Sequence, residues 1–294
     1  MPRCAGRDII RRVREPLSLH KLSAPARFLD LSDYARPLAA LIVRALVPTR
    51  VSPIHITLAF TIVGGAAAGL LTSGSYAHRV GAGLLLLLKS TLDAADGSLA
   101  RARGRPSRVG RYLDSICDFL VNLAVFGGLA WAEAAGAQST WPFPIAAAAL
   151  LAATLEGSVF HYYYLLQRRL TGGDETSLFD ESQAHPFPWD HPGLTRALQQ
   201  AYLAIYGWQD SLVGWLDHVA IGTDKRNASA CRSAAPSHGF LTATTALGLG
   251  SQLLLIAVCA AINRPFWAVY VFLGPGIALW AMLLLMRRRS YREK

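Results

Sequence analysis

Apolar residues in this chain are gathered into long blocks, with charge confined to the joints between them. Such blocks, near the roughly 20 residues a helix needs to cross a bilayer, predict membrane spans and not the amphipathic stripes of a soluble fold. Six are predicted, at about 54–72, 79–100, 108–132, 142–167, 238–262 and 266–286. The stretch before them, 30–47, "DLSDYARPLAALIVRALV", breaks its apolar pattern with Arg36, Pro37 and Arg44. It predicts an amphipathic helix lying on the membrane, turned inward by Pro48 and Pro53.

Residues 169–237 depart from the pattern. "TGGDETSLFDESQAHPFPWDHPG" is polar and rich in Pro and Gly, hence a loop. "LTRALQQAYLAIYGWQDSLVGWLDHVAIG" has helical periodicity but is too polar for a span. It predicts an amphipathic helix or helical pair at the interface, with Trp208 and Trp215 as headgroup anchors. A seventh span there would put the C-terminal arginines on the wrong side. Four segments result: 1–47, an N-terminal segment with the interfacial helix; 48–168, four spans; 169–237, a cytoplasmic insertion; and 238–294, two more spans with a basic tail. The fold class is an all-α polytopic membrane protein.

Charge orients it. Residues 1–50 hold ten Lys/Arg, the joint after the second span carries Arg101, Arg103, Arg105 and Arg108, and the chain ends "RRRSYREK". The opposite loops hold little beyond Arg79 and Arg264. Six spans with both termini cytoplasmic satisfy every loop. The net charge of +10 is therefore a topology signal and a means of contact with anionic headgroups, not a nucleic-acid surface. Composition agrees: mean hydropathy is +0.30 and only 16% of residues are charged, against about 25% in soluble domains. The N-terminus lacks the apolar core of a signal peptide. Cys4, Cys117, Cys231 and Cys259 show no spacing for a metal or a disulfide framework.

Against that background the stretch "LDAADGSLARARGRPSRVGRYLDSICDFL", Leu92 to Leu120, stands out. Asp93 and Asp96 are three apart and share one helix face; Asp114 and Asp118 are four apart and share another. Only 17 residues separate Asp96 from Asp114, so the two pairs lie at the cytoplasmic ends of consecutive antiparallel helices. Carboxylates at such depth are costly, and four together repel unless cations bind them. Oxygen-rich sites select hard divalent ions, and two metals about 4 Å apart bridged by carboxylates are suited to phosphoryl transfer. Small residues (Ala94, Ala95, Gly97, Ala100, Gly110) let a ligand approach the backbone, and Arg101 can take a phosphate bidentately.

The motif Asp93-x-x-Asp96-Gly97-x-x-Ala100-Arg101, then eight residues, then Gly110-x-x-x-Asp114-x-x-x-Asp118 resembles the signature of the CDP-alcohol phosphotransferase (CDP-alcohol phosphatidyltransferase) family. All eight positions match, over roughly 48–167 and more loosely 238–290. The resemblance implies a bilayer enzyme that cleaves the pyrophosphate of a CDP-linked substrate, joins the phosphatidyl or phosphoalcohol group to a hydroxyl and releases CMP. It implies two Mg²⁺ (or Mn²⁺) per site, with Asp93 and Asp114 touching both, Asp96 one, and Asp118 the second while acting as general base. Gly97, Ala100, Arg101 and Gly110 would hold the CDP part, with Ser107 offering a hydroxyl to the nucleotide. "SPIHITL" is similar to the family's Pro-Asn-x-x-Thr segment lining the cytidine: Pro53 and Thr57 match, but Ile54 replaces Asn, so a backbone group or His55 takes that contact. The resemblance also implies a homodimer packed through membrane helices, with a CDP-linked lipid and a small polar alcohol as substrates, in a bacterial inner membrane.

Other polar residues carry weaker signals. Lys89, one turn before Asp93, either neutralises the acids or snorkels to the interface. Glu156 is an intramembrane acid. His161, Tyr162, Tyr163 and Tyr164 either line an acceptor site or form an aromatic belt, with Arg168 and Arg169 as phosphate ligands or topology charges. His185 and His191 make no metal spacing. An intramembrane prenyltransferase of the UbiA type is disfavoured by the close spacing of the acid motifs. A cation transporter using the same acids as ligands is the non-enzymatic alternative. Within the family, CDP-diacylglycerol with a small alcohol is preferred to a soluble CDP-alcohol with a lipid acceptor.

Overall fold

The computed structural model describes residues 27–171, 177–221 and 236–292, and contains no strand among them. The segment 1–26, with Cys4, and the stretch holding Cys231 lie outside the described residues. Asp30 accepts from the Ser32 backbone N–H and opens a 3₁₀ turn, Leu31–Asp33; helix α1, Arg36–Leu46, follows. The helix predicted at 30–47 is therefore shorter, starting at Arg36 and ending at Leu46. It buries Ala39 and Val43 and exposes Leu38 and Leu41.

Helices α2 (Pro53–Leu71), α3 (Tyr76–Ala102), α4 (Arg108–Ala137) and α5 (Pro142–Leu170) follow through short joints. Proline at the first turn starts α2 and α5, where its missing N–H costs nothing. Helix α2 packs along both α3 and α4. The approach is close: a Cβ on Gly128 of α4 would lie 2.6 Å from the Ala68 carbonyl oxygen of α2. Arg103, just past α3, donates to the carbonyls of Leu46 at 2.7 Å, Thr49 at 2.9 Å and Val51 at 2.5 Å, tying the α1–α2 joint to the end of α3.

The insertion folds as a helical pair, α6 (Pro192–Tyr202) and α7 (Trp208–Ile221), joined by a π-turn at Leu203–Gly207. Helix α6 packs on α4, and α7 on α5 and the last helix. Trp208 and Trp215 are exposed. Helices α8 (His238–Thr244), α9 (Leu249–Ala261), α10 (Trp267–Val271) and α11 (Ile277–Arg292) complete the chain.

Among the described residues, four helical stretches are long and apolar enough to cross a membrane: Pro53–Leu71, Arg108–Ala137, Pro142–Leu170 and Trp267–Arg289. The chain is an integral membrane protein. The count of six is thus met only in part, for two physical reasons. Helix α3 spans 27 residues but carries Arg79, Lys89, Asp93, Asp96 and Arg101, too much charge for an ordinary span. The predicted span 238–262 bends by 50° between Leu247 and Leu249, and makes a fifth crossing only if both arms are counted together. Gln252 donates to the Leu247 carbonyl at 3.0 Å, satisfying backbone freed by the bend, and to that of Ala153 at 2.8 Å, tying the bend to α5. The last span also contains a π-turn, at Phe272–Gly276, where Pro275 removes a donor.

Candidate active site

The end of α3 and the start of α4 frame a cavity of about 490 Å³. All four aspartates line it. Ser107 starts α4 by accepting from the Gly110 N–H at 3.0 Å, which fixes the register that turns Asp114 and Asp118 inward. Carboxylate oxygens of Asp93, Asp114 and Asp118 lie within 4.8 Å of one another, a donor set that suits a hard divalent cation. Asp114 Oδ1 is buried without a hydrogen-bond partner, an acceptor aimed into that space. Asp96 stands outside this trio; its Oδ2 accepts from the Thr57 hydroxyl at 2.7 Å.

Lys89 is only 1% exposed and does not snorkel. Its ammonium donates to Asp93 Oδ2 at 2.8 Å and to Asp118 Oδ1. It also lies 4.6 Å from the centre of the Phe60 ring. Lys89 thus offsets two of the four carboxylates, and Arg101 lines the same cavity.

The residues assigned to the CDP part fall largely together. Pro53, Thr57, Gly97, Ala100, Arg101, Ser107 and Gly110 line the cavity, and so does Ile54. His55 does not. It closes a capping box at the start of α2, with Nδ1 accepting from the Ser52 N–H at 3.1 Å. Gly97 sits under Arg101, whose Nη2 donates to Ser98 Oγ at 3.0 Å.

The opposite wall was not visible in the sequence. It comes from the insertion: Tyr202, Tyr206 and Asp210 line the same cavity. Glu181, 3% exposed, accepts from Tyr112 at 2.9 Å and pairs with Arg108 at 3.3 Å and with Arg111. Asp190 accepts from Ser107 Oγ at 2.6 Å and from the Arg108 N–H at 2.8 Å. The Trp189 indole donates to the Pro106 carbonyl at 2.7 Å, and Arg105 lies over its ring. Ser107, expected beside a nucleotide, is thus engaged by the insertion. Burial pushes the Asp210 carboxyl up to about 6, against the opposing pull of Arg111. Burial likewise raises the Tyr202 and Tyr206 phenols.

The aromatic end of α5 divides. His161 and Arg168 line the cavity, and Arg168 is buried next to Ser177. Tyr162 and Tyr163 turn away to Asp217 of α7, at 3.2 and 2.8 Å, and Arg287 of α11 joins Asp217 at 3.0 Å. Arg169 is exposed and lies over Phe179. Glu156 is buried at Gly276 of the π-turn, outside the cavity lining. His191 caps α6, accepting from the Leu194 N–H at 3.2 Å.

This geometry agrees with what the comparisons show. Residues 45–175 match the sequence model of the CDP-alcohol phosphatidyltransferase family, and this part of the chain is a domain of that family. The chain is similar to the phosphatidylinositol phosphate synthase of Mycobacteroides abscessus, 42% identical over 82 residues, 27% of this chain and 37% of the relative. It is similar to that of Streptomyces avermitilis, 34% identical over 117 residues, 37% of this chain and 46% of the relative. A third, the bifunctional IPC transferase and DIPP synthase of Rubrobacter xylanophilus, is 34% identical over 106 residues, 36% of this chain and 24% of the relative. The chain thus spans less than half the length of these curated relatives. The insertion wall, from Glu181 onward, lies beyond the residues that the family model matches.

Proposed function

We propose that this protein moves the phosphatidyl group of CDP-diacylglycerol to the hydroxyl of a small polar alcohol and releases CMP. The observation that carries the reading is the convergence of the four signature aspartates on one cavity, three of them within 4.8 Å. The relatives named phosphatidylinositol phosphate synthase support the phosphatidyl direction of transfer.

In this reading Asp93, Asp96, Asp114 and Asp118 hold two divalent cations, Mg²⁺ or Mn²⁺. Bound there, the ions neutralise charge building on the pyrophosphate as the bond to CMP breaks. Arg101, with Gly97 and Ala100 beneath it, takes the phosphates of the CDP part. Pro53, Ile54 and Thr57 border the base. Thr57 fixes Asp96, and Lys89 holds Asp93 and Asp118 in place through its two hydrogen bonds. The acceptor oxygen attacks the phosphatidyl phosphorus, its proton passes to the Asp118 carboxylate, and the P–O bond to CMP breaks. No covalent enzyme intermediate is needed.

Helix α3 completes six spans, with both termini and the cavity mouth cytoplasmic, as the loop arginines require. Its charge is accommodated because it faces α2, α4 and the cavity. A homodimer packed through membrane helices in a bacterial inner membrane completes the reading.

The test is CMP release from CDP-dioleoylglycerol by the purified full-length chain in mild detergent. Release that needs both an added alcohol and Mg²⁺ or Mn²⁺ is expected. Undiminished release in excess EDTA would refute the metal assignment, and a chain that neither binds the CDP-lipid nor releases CMP would refute the family chemistry.

A further inference from the structure

The joint between α3 and α4 is gripped by residues that the family model does not match. Helix α3 ends in a tight turn: the Gly104 N–H, at φ +62°, donates to the Arg101 carbonyl at 3.0 Å, and the Arg105 N–H donates to that of Ala100 at 3.2 Å. Past this turn the joint leans on the insertion. The Trp189 indole donates to the Pro106 carbonyl at 2.7 Å, and Asp190 accepts from the Ser107 hydroxyl and the Arg108 N–H. Arg105, Pro106 and Ser107 line the reaction cavity, whereas residues 187–190 do not. Whatever that segment does for the reaction, it does through the joint.

A stack lies at the centre of the grip. The Phe187 and Trp189 rings are 5.5 Å apart and within 5° of parallel. Each carries a guanidinium: Arg105 lies 5.6 Å from the Trp189 ring centre and Arg108 lies 5.5 Å from that of Phe187. The two arginines differ in what else they meet. Arg108 is buried and pairs with Glu181 at 3.3 Å, so its charge is offset inside the protein. Arg105 is exposed and, among the described residues, pairs with no carboxylate; its partner is the indole face. Of the other arginines that line the cavity, Arg111 pairs with Glu181, Arg101 donates to Ser98, and Arg168 is buried beside Ser177. An aromatic face attracts a guanidinium without cancelling its charge, and it leaves the in-plane N–H donors for another ligand. Such donors on an uncancelled charge suit phosphate oxygens. The neighbours indicate which phosphate: Arg101, Ser107 and Gly110, on either side of Arg105 in the chain, line the part of the cavity read above as the CDP site.

We propose that Trp189 is a positioning residue that holds Arg105 at the cavity rim, where its guanidinium contacts a phosphate of the CDP-linked donor. A segment outside the family match thereby contributes to donor binding. The inference rests on the transfer reading and adds two residues that the signature does not contain. Asp190 plays a separate part, since its contacts are with Ser107 and the first turn of α4 and not with Arg105.

The test is equilibrium binding of CDP-dioleoylglycerol to the full-length chain in mild detergent, with Mg²⁺ and no acceptor present. Arg105→Ala should weaken binding about tenfold or more, the loss of a charge-assisted contact, and Arg105→Lys should recover part of it. Trp189→Ala should weaken binding about fivefold, on the scale of an exposed cation–π contact. Trp189→Phe keeps a ring face but not the N–H to Pro106, and should stay within about twofold of wild type. In the Arg105→Ala background, Trp189→Ala should add less than about twofold, because the ring acts through the guanidinium. The melting midpoint of each variant, whose altered side chain is exposed, checks that it has folded. Should Trp189→Ala lower that midpoint, Arg105→Ala and Trp189→Phe still decide. Donor binding unchanged by Arg105→Ala overturns the proposal and leaves the guanidinium to a phosphate of the acceptor. Losses that multiply in the double variant, or a Trp189→Phe loss as large as that of Trp189→Ala, overturn the positioning role. A wild-type chain that does not bind the CDP-lipid refutes the transfer reading beneath it.

Discussion

Two buried charge clusters in this protein differ in one respect that separates chemistry from architecture. Between α3 and α4, four aspartates line one cavity, Lys89 pairs with two of them, and Asp114 keeps an oxygen with no partner. Between α7 and α11, Asp217 faces Arg287 and also accepts from two tyrosine hydroxyls. The second cluster is compensated. Like most buried ion pairs, it holds elements in register with no charge to spare. The first gathers four carboxylates at a cavity, more acid than Lys89 alone offsets, and bound divalent cations can balance it. Surplus charge, not burial alone, marks the reactive end of the molecule.

The largest effect that can break this contrast is on turnover. Asp118→Asn should lower kcat about 10²–10⁴-fold, the range of a lost general base, and leave CDP-lipid binding largely intact. Asp93→Asn should lose metal-dependent binding of a CDP-lipid analogue as well as turnover. Equal loss of binding in both variants would make Asp118 a ligand only. In the compensated cluster the effect should be on stability. Asp217→Leu strands the buried Arg287 and should cost about 3–5 kcal/mol, read as a lowered melting midpoint in detergent. Adding Arg287→Met should restore most of the loss. A double variant as unstable as the single one would show that the pair is not the compensated unit described.

How much of this was legible in advance follows the same division. The acid cluster lies within 26 residues, and its helical spacing alone placed the carboxylates on facing helix ends. The Thr57–Asp96 bond was within reach too, because both residues sit in short motifs. The insertion's contacts were not. Glu181 meets Tyr112 across 69 residues of sequence, and Tyr206 meets Ser115 across 91. Neither the polar, Pro-rich loop that holds Glu181 nor the amphipathic pattern around Tyr206 signals such pairings. Helix α3 is the converse case: the apolar run predicts it at about 79–100 and the structure has it at Tyr76–Ala102, but its charged second half sets it apart from an ordinary span. His55 is a third case, since a histidine three residues after Ser52 serves equally as cap or ligand, and the structure makes it a cap.

A smaller effect sharpens the contrast without touching the chemistry. A surplus-charge cluster should take up Mg²⁺ in the folded state, so the melting midpoint should rise with Mg²⁺. A ligand at about 100 times its Kd adds about 2.7 kcal/mol. Asp114→Asn should remove most of that rise, whereas Asp217→Leu, though less stable, should keep it. A Mg²⁺ response that survives Asp114→Asn would place the cation elsewhere.

The smallest effect concerns a carboxylate that belongs to neither cluster. Asp190 is satisfied by neutral donors: the Ser107 hydroxyl at 2.6 Å, the Arg108 N–H at 2.8 Å and the Phe187 N–H at 3.2 Å. It therefore acts as a cap for α4 supplied from the insertion. Asp190→Ala frees one first-turn N–H, but Ser107 still accepts from Gly110, so the helix keeps its own cap. The cost should be that of an ordinary cap, about 1 kcal/mol, or a few degrees in melting midpoint. Asp190→Asn should cost less, because the amide oxygen can still accept from Arg108 N–H. The CDP-lipid KM should stay within about twofold for both variants. A loss as large as that of Asp217→Leu would place Asp190 among the compensated charges that dock the insertion. A fall in the CDP-lipid KM would mean instead that Asp190 competes with the nucleotide for Ser107 and the Arg108 N–H, and that the insertion restrains the donor site.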